Sequence, residues 1–272
     1  KKIIPGGSIA IAKVLSKFVK KVNFYTYGSQ KILNKFVKNY KNIKIMSLSE
    51  KLIIQNKTRY LNSNRFEKVM QITNIFKNEI KDNFNKKIFN KFKKSVSKYL
   101  IICDYGIDLF DENTIKLIER IKKKKFINVQ TNSLNYGFNL FSKYKNYSYM
   151  CLDENEWKLG FNSYDDIMDK IKALSKRKKI PLCITRGKNG SSLIYKNTKC
   201  SSPSFIDKTI DTTGCGDVYF AVTSLMIIAN AEKKLIPFVG NCYAGLHGLV
   251  FGNETITDKN RFIKYIKSIL NF

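Results

Sequence analysis

The chain has 272 residues, of which 43% are hydrophobic, and a formal net charge of +29. This length can bury a substantial core in one or two domains. No apolar run approaches the ~20 residues that span a bilayer and no signal peptide opens the chain, so we predict a cytoplasmic protein with no membrane partner.

The charge comes from lysine, with 44 lysines against six arginines, spread along the chain. Proteins that recognise nucleic acids concentrate their positive charge on one surface and favour arginine. We therefore attribute the dispersed lysines to composition bias and predict no specific nucleic-acid partner. A nucleic-acid-binding protein remains an alternative. His247 is the single histidine, which excludes two-histidine zinc sites. The six cysteines include no C-x-x-C pair and are typical of free thiols in a reducing compartment.

The predicted elements alternate between helices and strands. The pattern predicts a helix over 8–19, a strand over 22–27, a helix over 31–38 and a strand over 43–48. The polar interval 50–85 contains only short strand-like pieces, which favours a small β lid inserted early in the chain.

The alternation then resumes. We predict strands at 99–103, 126–130, 147–152, 182–185 and 191–195, and helices at 112–122, 154–178 (one or two), 217–229, 235–251 and 258–270. No repeat or low-complexity linker divides the chain, so the prediction is a single α/β domain over 1–272 with a doubly wound, mostly parallel sheet. Ligands of such a fold bind at the carboxyl ends of the strands.

The segment Asp211-Thr212-Thr213-Gly214-Cys215-Gly216-Asp217 precedes an apolar helical run. Backbone N–H groups at Gly214, Cys215 and Gly216 can converge on one anion because glycine leaves the approach open and a helix N-terminus adds free donors. Asp217 in the first turn is a candidate proton acceptor. The alternative is that the acidic residues only cap the helix.

This segment resembles the second signature of the ribokinase-like carbohydrate kinases, the PfkB family. The resemblance implies ATP as phosphoryl donor, Asp217 as the catalytic base, and an anion hole at Gly214, Cys215 and Gly216. Cys215 stands where the family usually has alanine.

Carboxylates follow the predicted strand that ends near residue 152. Hard oxygen ligands there suit Mg²⁺. The spacing of Asp153 and Glu156 is similar to the family's N-x-x-E element, with aspartate in the asparagine place, and the resemblance implies these two residues as the Mg²⁺ ligands. A helix cap is the alternative.

Two further elements resemble the family's nucleotide site. Thr185, Gly187 and Gly190 belong to a G-x-x-G turn after an apolar strand, which by itself is weak evidence. Asn241 matches a helix that borders the adenine pocket in relatives, with an ordinary helix contact as the alternative.

Gly6 and Gly7 resemble the first family signature, in which glycines let a sugar approach the backbone. Ala10 stands where that signature has asparagine, which weakens the expected sugar contact. The strand that precedes this motif in the family is missing, so we expect a fragment or a natural truncation.

Asp104-Tyr105-Gly106 and Gln130-Thr131-Asn132-Ser133 resemble the kinase module of ADP-heptose synthases and allied sugar kinases. On this basis Asp104 is a predicted substrate residue. Arg59, in the lid, is a candidate for binding a substrate phosphate or the transferred group.

The sequence therefore predicts an ATP-dependent kinase of a sugar or sugar phosphate, with a heptose phosphate as one option. A homodimer through the lid is left open. The alternative is a degenerate relative that binds nucleotide or sugar without catalysis.

Overall fold

In a computed structural model, the structure describes residues 3–48, 56–62, 68–74, 90–107, 109–132, 135–206 and 208–271. The helices described in full are α1 (Gly7–Ser16), α2 (Gln30–Val37), α3 (Glu112–Glu119), α4 (Glu154–Phe161), α5 (Met168–Lys178), α6 (Cys215–Ile228), α7 (Leu235–Gly248) and α8 (Lys259–Ile269). The strands are β1 (Val22–Thr26), β2 (Ile43–Ser47), β3 (Asn56–Leu61), β4 (Lys68–Asn74), β5 (Tyr99–Asp104), β6 (Lys124–Val129), β7 (Tyr149–Asp153), β8 (Pro181–Thr185), β9 (Ser191–Tyr195) and β10 (Thr198–Ser202).

The main sheet has six strands in the order β10-β9-β8-β7-β6-β5. β5 to β8 are parallel, whereas β9 and β10 form an antiparallel edge. The mostly parallel sheet predicted from the sequence is confirmed, and β10 is a strand that the sequence pattern did not indicate. Because β5 to β8 run the same way, their carboxyl ends lie at one edge of the sheet.

Side chains alternate along the strands and build a separate core on each face. Phe126, Tyr149 and Cys151 pack with α1, α6, α7 and α8 on one face. Their neighbours Ile127 and Met150 pack with α3, α4 and α5 on the other. This is the period of two expected for strands buried on both sides.

Local sequence determines several helix ends. The side chain of Asp111 accepts a hydrogen bond from Thr114 N at the start of α3. Asn162 adopts a left-handed conformation with φ 48° and ends α4, which divides the predicted 154–178 segment into two helices.

β1 and β2 form a separate parallel pair, and β3 and β4 form an antiparallel pair within the predicted lid. The rest of the predicted lid, at 50–55, 63–67 and 75–85, lies outside the described residues. Within the described part of the chain, no helix has the length and apolar character to cross a membrane.

Candidate active site

The loop before α6 is bent and held by its own side chains. Asp211 Oδ1 accepts a hydrogen bond from Thr213 N at 2.8 Å, and its Oδ2 accepts one from Gly252 N at 3.0 Å. The N–H of Cys215 donates to the carbonyl of Thr212 at 3.2 Å. The loop therefore turns sharply into the helix.

Gly214 makes this turn possible. Its φ of 85° lies in the left-handed region, and a Cβ there would lie 2.0 Å from Oδ1 of Asn253. The same oxygen lies 3.1 Å from Nε2 of His247, while Nδ2 of Asn253 donates to the carbonyl of Pro5. Asn253 thus ties the loop to the end of α7 and to the segment before α1.

The turn leaves backbone donors free at the start of α6. Cys215 N–H is used inside the turn, whereas no described group accepts from the N–H of Gly214, Gly216 or Asp217. Gly214 and Gly216 belong to the predicted anion hole, and Asp217 is a further donor beside them. A Cβ on Gly216 would meet no described atom within 4 Å, so this face of the helix N-terminus is open. Together with the helix dipole, the amides of Gly216 and Asp217 can bind an anion.

Asp217 is buried in the first turn of α6, and its two carboxylate oxygens differ. Oδ1 accepts hydrogen bonds from the hydroxyl of Tyr105 at 2.9 Å and from Nε2 of Gln130 at 2.7 Å. Oδ2 has no such donor among the described residues and lies on the side of Gly7. Burial raises the pKa of Asp217 to about 6, and the bonds from Tyr105 and Gln130 oppose that rise. Asp217 is therefore mainly ionised at neutral pH and can still accept a proton.

The two predicted substrate glycines occupy different surroundings. Gly6 precedes α1 and has open space where its Cβ would be, whereas a Cβ on Gly7 would meet Asp217 and Tyr105. Ala10 is fully buried in the core, so this position does not face a ligand.

Asp104 is buried and its carboxylate is engaged within the protein. It is 1% exposed, and its Oδ2 accepts from the hydroxyl of Tyr144 at 2.8 Å and pairs with Lys143 Nζ at 2.6 Å. Its Oδ1 accepts from Gly106 N at 2.9 Å. These contacts fix the turn after β5, and the substrate contact of Asp104 stays a prediction.

Asp153 and Glu156 form a capping box at the start of α4. Oδ1 of Asp153 accepts from Glu156 N at 2.7 Å, and Oε2 of Glu156 accepts from Asp153 N at 2.8 Å. Burial and the neighbouring Asp153 carboxylate raise the pKa of Glu156 to about 8. A carboxylate whose pKa is raised by a neighbouring carboxylate fits a cation held mainly through waters. The described residues contain no group of three or more acidic, His or Cys side chains suited to a metal.

The predicted nucleotide-binding residues differ in how closely other atoms surround them. Gly187 has φ 53° and open space around it, and Thr185 at the end of β8 is half-buried. A Cβ on Gly190 would lie 2.1 Å from the carbonyl of Ser202, so this glycine permits close backbone packing.

Asn241 is fully engaged within the protein. Its Nδ2 donates to the carbonyls of Ser202 and Pro203, each at 2.9 Å, and its Oδ1 accepts from the hydroxyl of Ser191 at 3.0 Å. The side chain therefore ties α7 to the β9–β10 edge and offers adenine no free donor. These contacts are those of the helix-contact alternative, and the adenine contact of Asn241 stays a prediction.

Arg59 lies on the lid pair, where its Nε donates to Oε1 of Gln71 at 3.1 Å. It is exposed, and its guanidinium keeps further donors for a phosphate.

Tyr105 and Gln130 lie within the sequence motifs, although no role was predicted for either. Each is the first residue after a strand, β5 and β6 respectively, at the edge where ligands of a parallel sheet bind. Their position directly after a strand was the sequence signal that could have identified them as site residues. Their pairing with Asp217, across 112 and 87 residues of sequence, is a tertiary contact that no local pattern encodes.

The sequence itself supports the assignment of a family. A family model described as "pfkB family carbohydrate kinase" matches residues 32–246, which include the loop before α6. The chain belongs to the pfkB family of carbohydrate kinases. No curated protein matches the chain.

Solved structures of several kinases share its fold at low identity. Phosphofructokinase-2 from Escherichia coli, in complex with potassium, is 13% identical with a TM-score of 0.77, over 98% of this chain and 87% of that one. Ribokinase from Arabidopsis thaliana, complexed with ribose and ATP, is 12% identical with a TM-score of 0.67, over 97% and 87%. A nucleoside kinase from Burkholderia thailandensis, in complex with inosine, is 13% identical with a TM-score of 0.71, over 100% and 87%. These likenesses establish a ribokinase-like α/β fold.

Proposed function

We propose that the chain is an ATP-dependent kinase that transfers the γ-phosphoryl group to a hydroxyl of a sugar or sugar phosphate. The observation that carries the proposal is the geometry at the start of α6. There, a buried carboxylate lies in the same helical turn as two backbone N–H groups, and among the described residues neither its oxygen Oδ2 nor these N–H groups have a hydrogen-bond partner. Phosphoryl transfer needs both features together, a proton acceptor and a positioned anion site.

The backbone amides of Gly216 and Asp217 bind the transferred phosphoryl group in this proposal. Their donors point out of the helix N-terminus, and the helix dipole adds positive potential there. Gly216 has no side chain to obstruct the anion, and Gly214 keeps the loop bent behind it. The site is built before ligand arrives, which lowers the reorganisation needed during transfer.

Asp217 accepts the proton of the acceptor hydroxyl. The free oxygen Oδ2 lies beside the backbone of Gly7, so the acceptor hydroxyl approaches from the side of Gly6 and Gly7. ATP supplies the phosphoryl group, and Mg²⁺ held near Asp153 and Glu156 would neutralise its charge. Thr185, Gly187 and Gly190 are the proposed nucleotide contacts, and Arg59 on the lid is the proposed phosphate contact.

The direct test is ADP release in a coupled assay with Mg²⁺ and ATP, against sugars and sugar phosphates that include heptose phosphates. The matched variant is Asp217→Asn, which keeps the acceptor for Tyr105 and Gln130 but cannot take a proton. We expect turnover to fall by roughly a hundredfold or more, with nucleotide affinity in titration calorimetry close to that of the wild type.

Two results would contradict the proposal. Near-normal turnover in Asp217→Asn would remove Asp217 from the role of base. Nucleotide or sugar binding without ADP release from any acceptor would support the degenerate relative.

A highly cationic protein also attracts polyanions such as nucleic acids. Loss of nucleic-acid binding with added salt would identify that attraction as generic.

We further propose that two copies associate through the lid. Tyr60, Met70 and Ile72 share one face of the β3–β4 pair and are 49%, 48% and 43% exposed. An exposed apolar face of this kind is a candidate contact surface. Light scattering of the wild type and of Tyr60→Ser with Ile72→Ser tests it, and a monomeric wild type would exclude this dimer.

A further inference from the structure

Both donors to Asp217 reach the same oxygen. The hydroxyl of Tyr105 and Nε2 of Gln130 approach Oδ1 at 2.9 and 2.7 Å. They come from the turns that follow β5 and β6, two adjacent strands of the sheet. The carboxylate is thereby held in one orientation, with Oδ2 directed to the side of Gly7.

The amide of Gln130 is itself fixed. Its Nε2 donates both to Oδ1 of Asp217 and to Oδ1 of Asn128, the latter at 2.9 Å. Asn128 in turn donates to the carbonyl of Cys151 at 2.7 Å. Both acceptors are oxygen atoms. If the amide were flipped, the side-chain oxygen of Gln130 would face these two oxygens with no hydrogen to share, so only the observed orientation is satisfactory.

The backbone of Tyr105 is held by asparagine side chains of the following loop. The Nδ2 atoms of Asn132 and Asn135 donate to its carbonyl at 3.0 and 2.9 Å. Asn139 donates to the carbonyl of Gln130 at 3.0 Å, so one loop supports both donors. The polar segment after β6 therefore holds the two residues that donate to Asp217.

The charged and titratable groups around Asp217 explain the need for two donors. The thiol of Cys103 on β5, the thiol of Cys215 on α6 and the carboxyl of Glu156 on α4 all interact with its charge, and each has a pKa raised chiefly by burial. None of these groups supplies a positive charge. Burial also keeps the pKa of Tyr105 well above its ordinary value, so its hydroxyl stays a neutral donor. Hydrogen bonds are therefore what stabilises the ionised form of Asp217.

We propose that Tyr105 and Gln130 are positioning residues for phosphoryl transfer, which hold Oδ1 of Asp217 and leave Oδ2 as the oxygen that takes the proton. This inference rests on the proposed function. The acceptor O–H bond breaks and its proton passes to Oδ2. The acceptor oxygen then bonds to phosphorus as the bond to the ADP oxygen breaks.

The test is the pH dependence of turnover in Tyr105→Phe and Gln130→Met. Each variant loses one hydrogen bond to the ionised carboxylate, so the acidic limb of the kcat profile should move up by about one pH unit. The Michaelis constants of nucleotide and acceptor should change less than about twofold, since neither side chain binds them directly.

Tyr243→Phe is the matched control. Tyr243 is also buried and donates its hydroxyl at 2.8 Å to the carbonyl of Thr257, away from Asp217. This control should lose comparable thermal stability with an unmoved pH profile. An equal shift in the control would mean that general loosening causes the effect, and would overturn the inference.

A second measurement separates this inference from the proposed function. Carboxyl ¹³C NMR of the aspartates gives the titration of Asp217 directly, with its resonance assigned by its loss in Asp217→Asn. We expect an upward shift of its pKa in both variants, and either one suffices if the other fails to fold. An active wild type with an unshifted titration would overturn this inference alone. An inactive wild type with a shifted titration would overturn the proposed function and support the hydrogen-bond assignment.

Discussion

The backbone of Gly7 lies directly against the carboxylate of Asp217, because a Cβ on Gly7 would be 2.2 Å from Oδ2 and 2.6 Å from the hydroxyl of Tyr105. Gly7 begins α1 and Asp217 lies in the first turn of α6, and the two helices pack together. The first and second glycine-containing motifs, 210 residues apart in sequence, therefore meet at one carboxylate oxygen.

Gly7→Ala should consequently damage the site. The added methyl must displace Asp217 or α1, and we expect a loss of about 1–3 kcal/mol in the free energy of unfolding. Turnover should fall at least tenfold because the base leaves its position. Gly6→Ala is the control, since its Cβ would meet nothing within 4 Å. Urea unfolding and the ADP-release assay measure both, and equal unfolding free energies for the two variants would contradict the close approach.

Gly214 and Gly216 should respond in opposite ways to alanine. At Gly214 the φ of 85° and the contact with Asn253 make Gly214→Ala destabilising by about 2 kcal/mol or more. Gly216 lies within α6 in open space, so Gly216→Ala should leave stability unchanged or raise it by about 0.5 kcal/mol. Its methyl would obstruct the anion, and we expect the KM for ATP to rise roughly tenfold. A destabilised Gly216→Ala with normal KM would disprove the anion site at these amides.

Local pattern was sufficient for most of the fold. The strands β5, β7 and β8 contain short apolar runs bounded by polar turns, and the alternation of strands with helices predicted the mostly parallel sheet. β10, with the sequence Thr-Lys-Cys-Ser-Ser, has few apolar residues because it is an edge strand paired only with β9. Its strand character comes from that pairing, which no short-range pattern reveals.

The fold leaves some of the predicted site residues open and engages others within the protein. Asp217 and the glycine loop follow from local rules for a helix N-terminus. Asp104 and Asn241 are polar residues at plausible positions, but their tertiary partners occupy them fully. A sequence shows that a side chain can bind a ligand and does not show whether the protein has already satisfied it.

The network at Asp104 leads to a further prediction. Lys143 Nζ lies 2.6 Å from its buried carboxylate, so Lys143→Met leaves that carboxylate without its cation and should cost about 2–4 kcal/mol of unfolding free energy. Adding Asp104→Asn removes the charge and should recover part of that loss. The exposed neighbour Lys145, changed to Met, is the control and should have little effect. An altered acceptor KM in Asp104→Asn at unchanged stability would support the predicted substrate contact of Asp104.

Asp217→Asn should stabilise the protein above pH 6 while it lowers turnover by roughly a hundredfold or more. The pKa of Asp217 rises from 3.8 to about 6 on folding, so the native state binds more protons than the unfolded state between these values. The free energy of unfolding of the wild type therefore falls as pH rises through this window, by about 3 kcal/mol in total. Asparagine bears no charge, so the variant does not lose this free energy.

Urea unfolding at pH 4 and pH 7.5 measures the difference between Asp217→Asn and the wild type. The variant's advantage should be small at pH 4 and approach ~3 kcal/mol at pH 7.5. Glu156, whose pKa is also raised, contributes with the same sign in both proteins, so its effect largely cancels in the difference. Asp111→Asn is the control because an exposed helix cap tolerates asparagine, and its difference from the wild type should show no such rise. An advantage of Asp217→Asn that is independent of pH would show that Asp217 is not a buried carboxylate held ionised by hydrogen bonds.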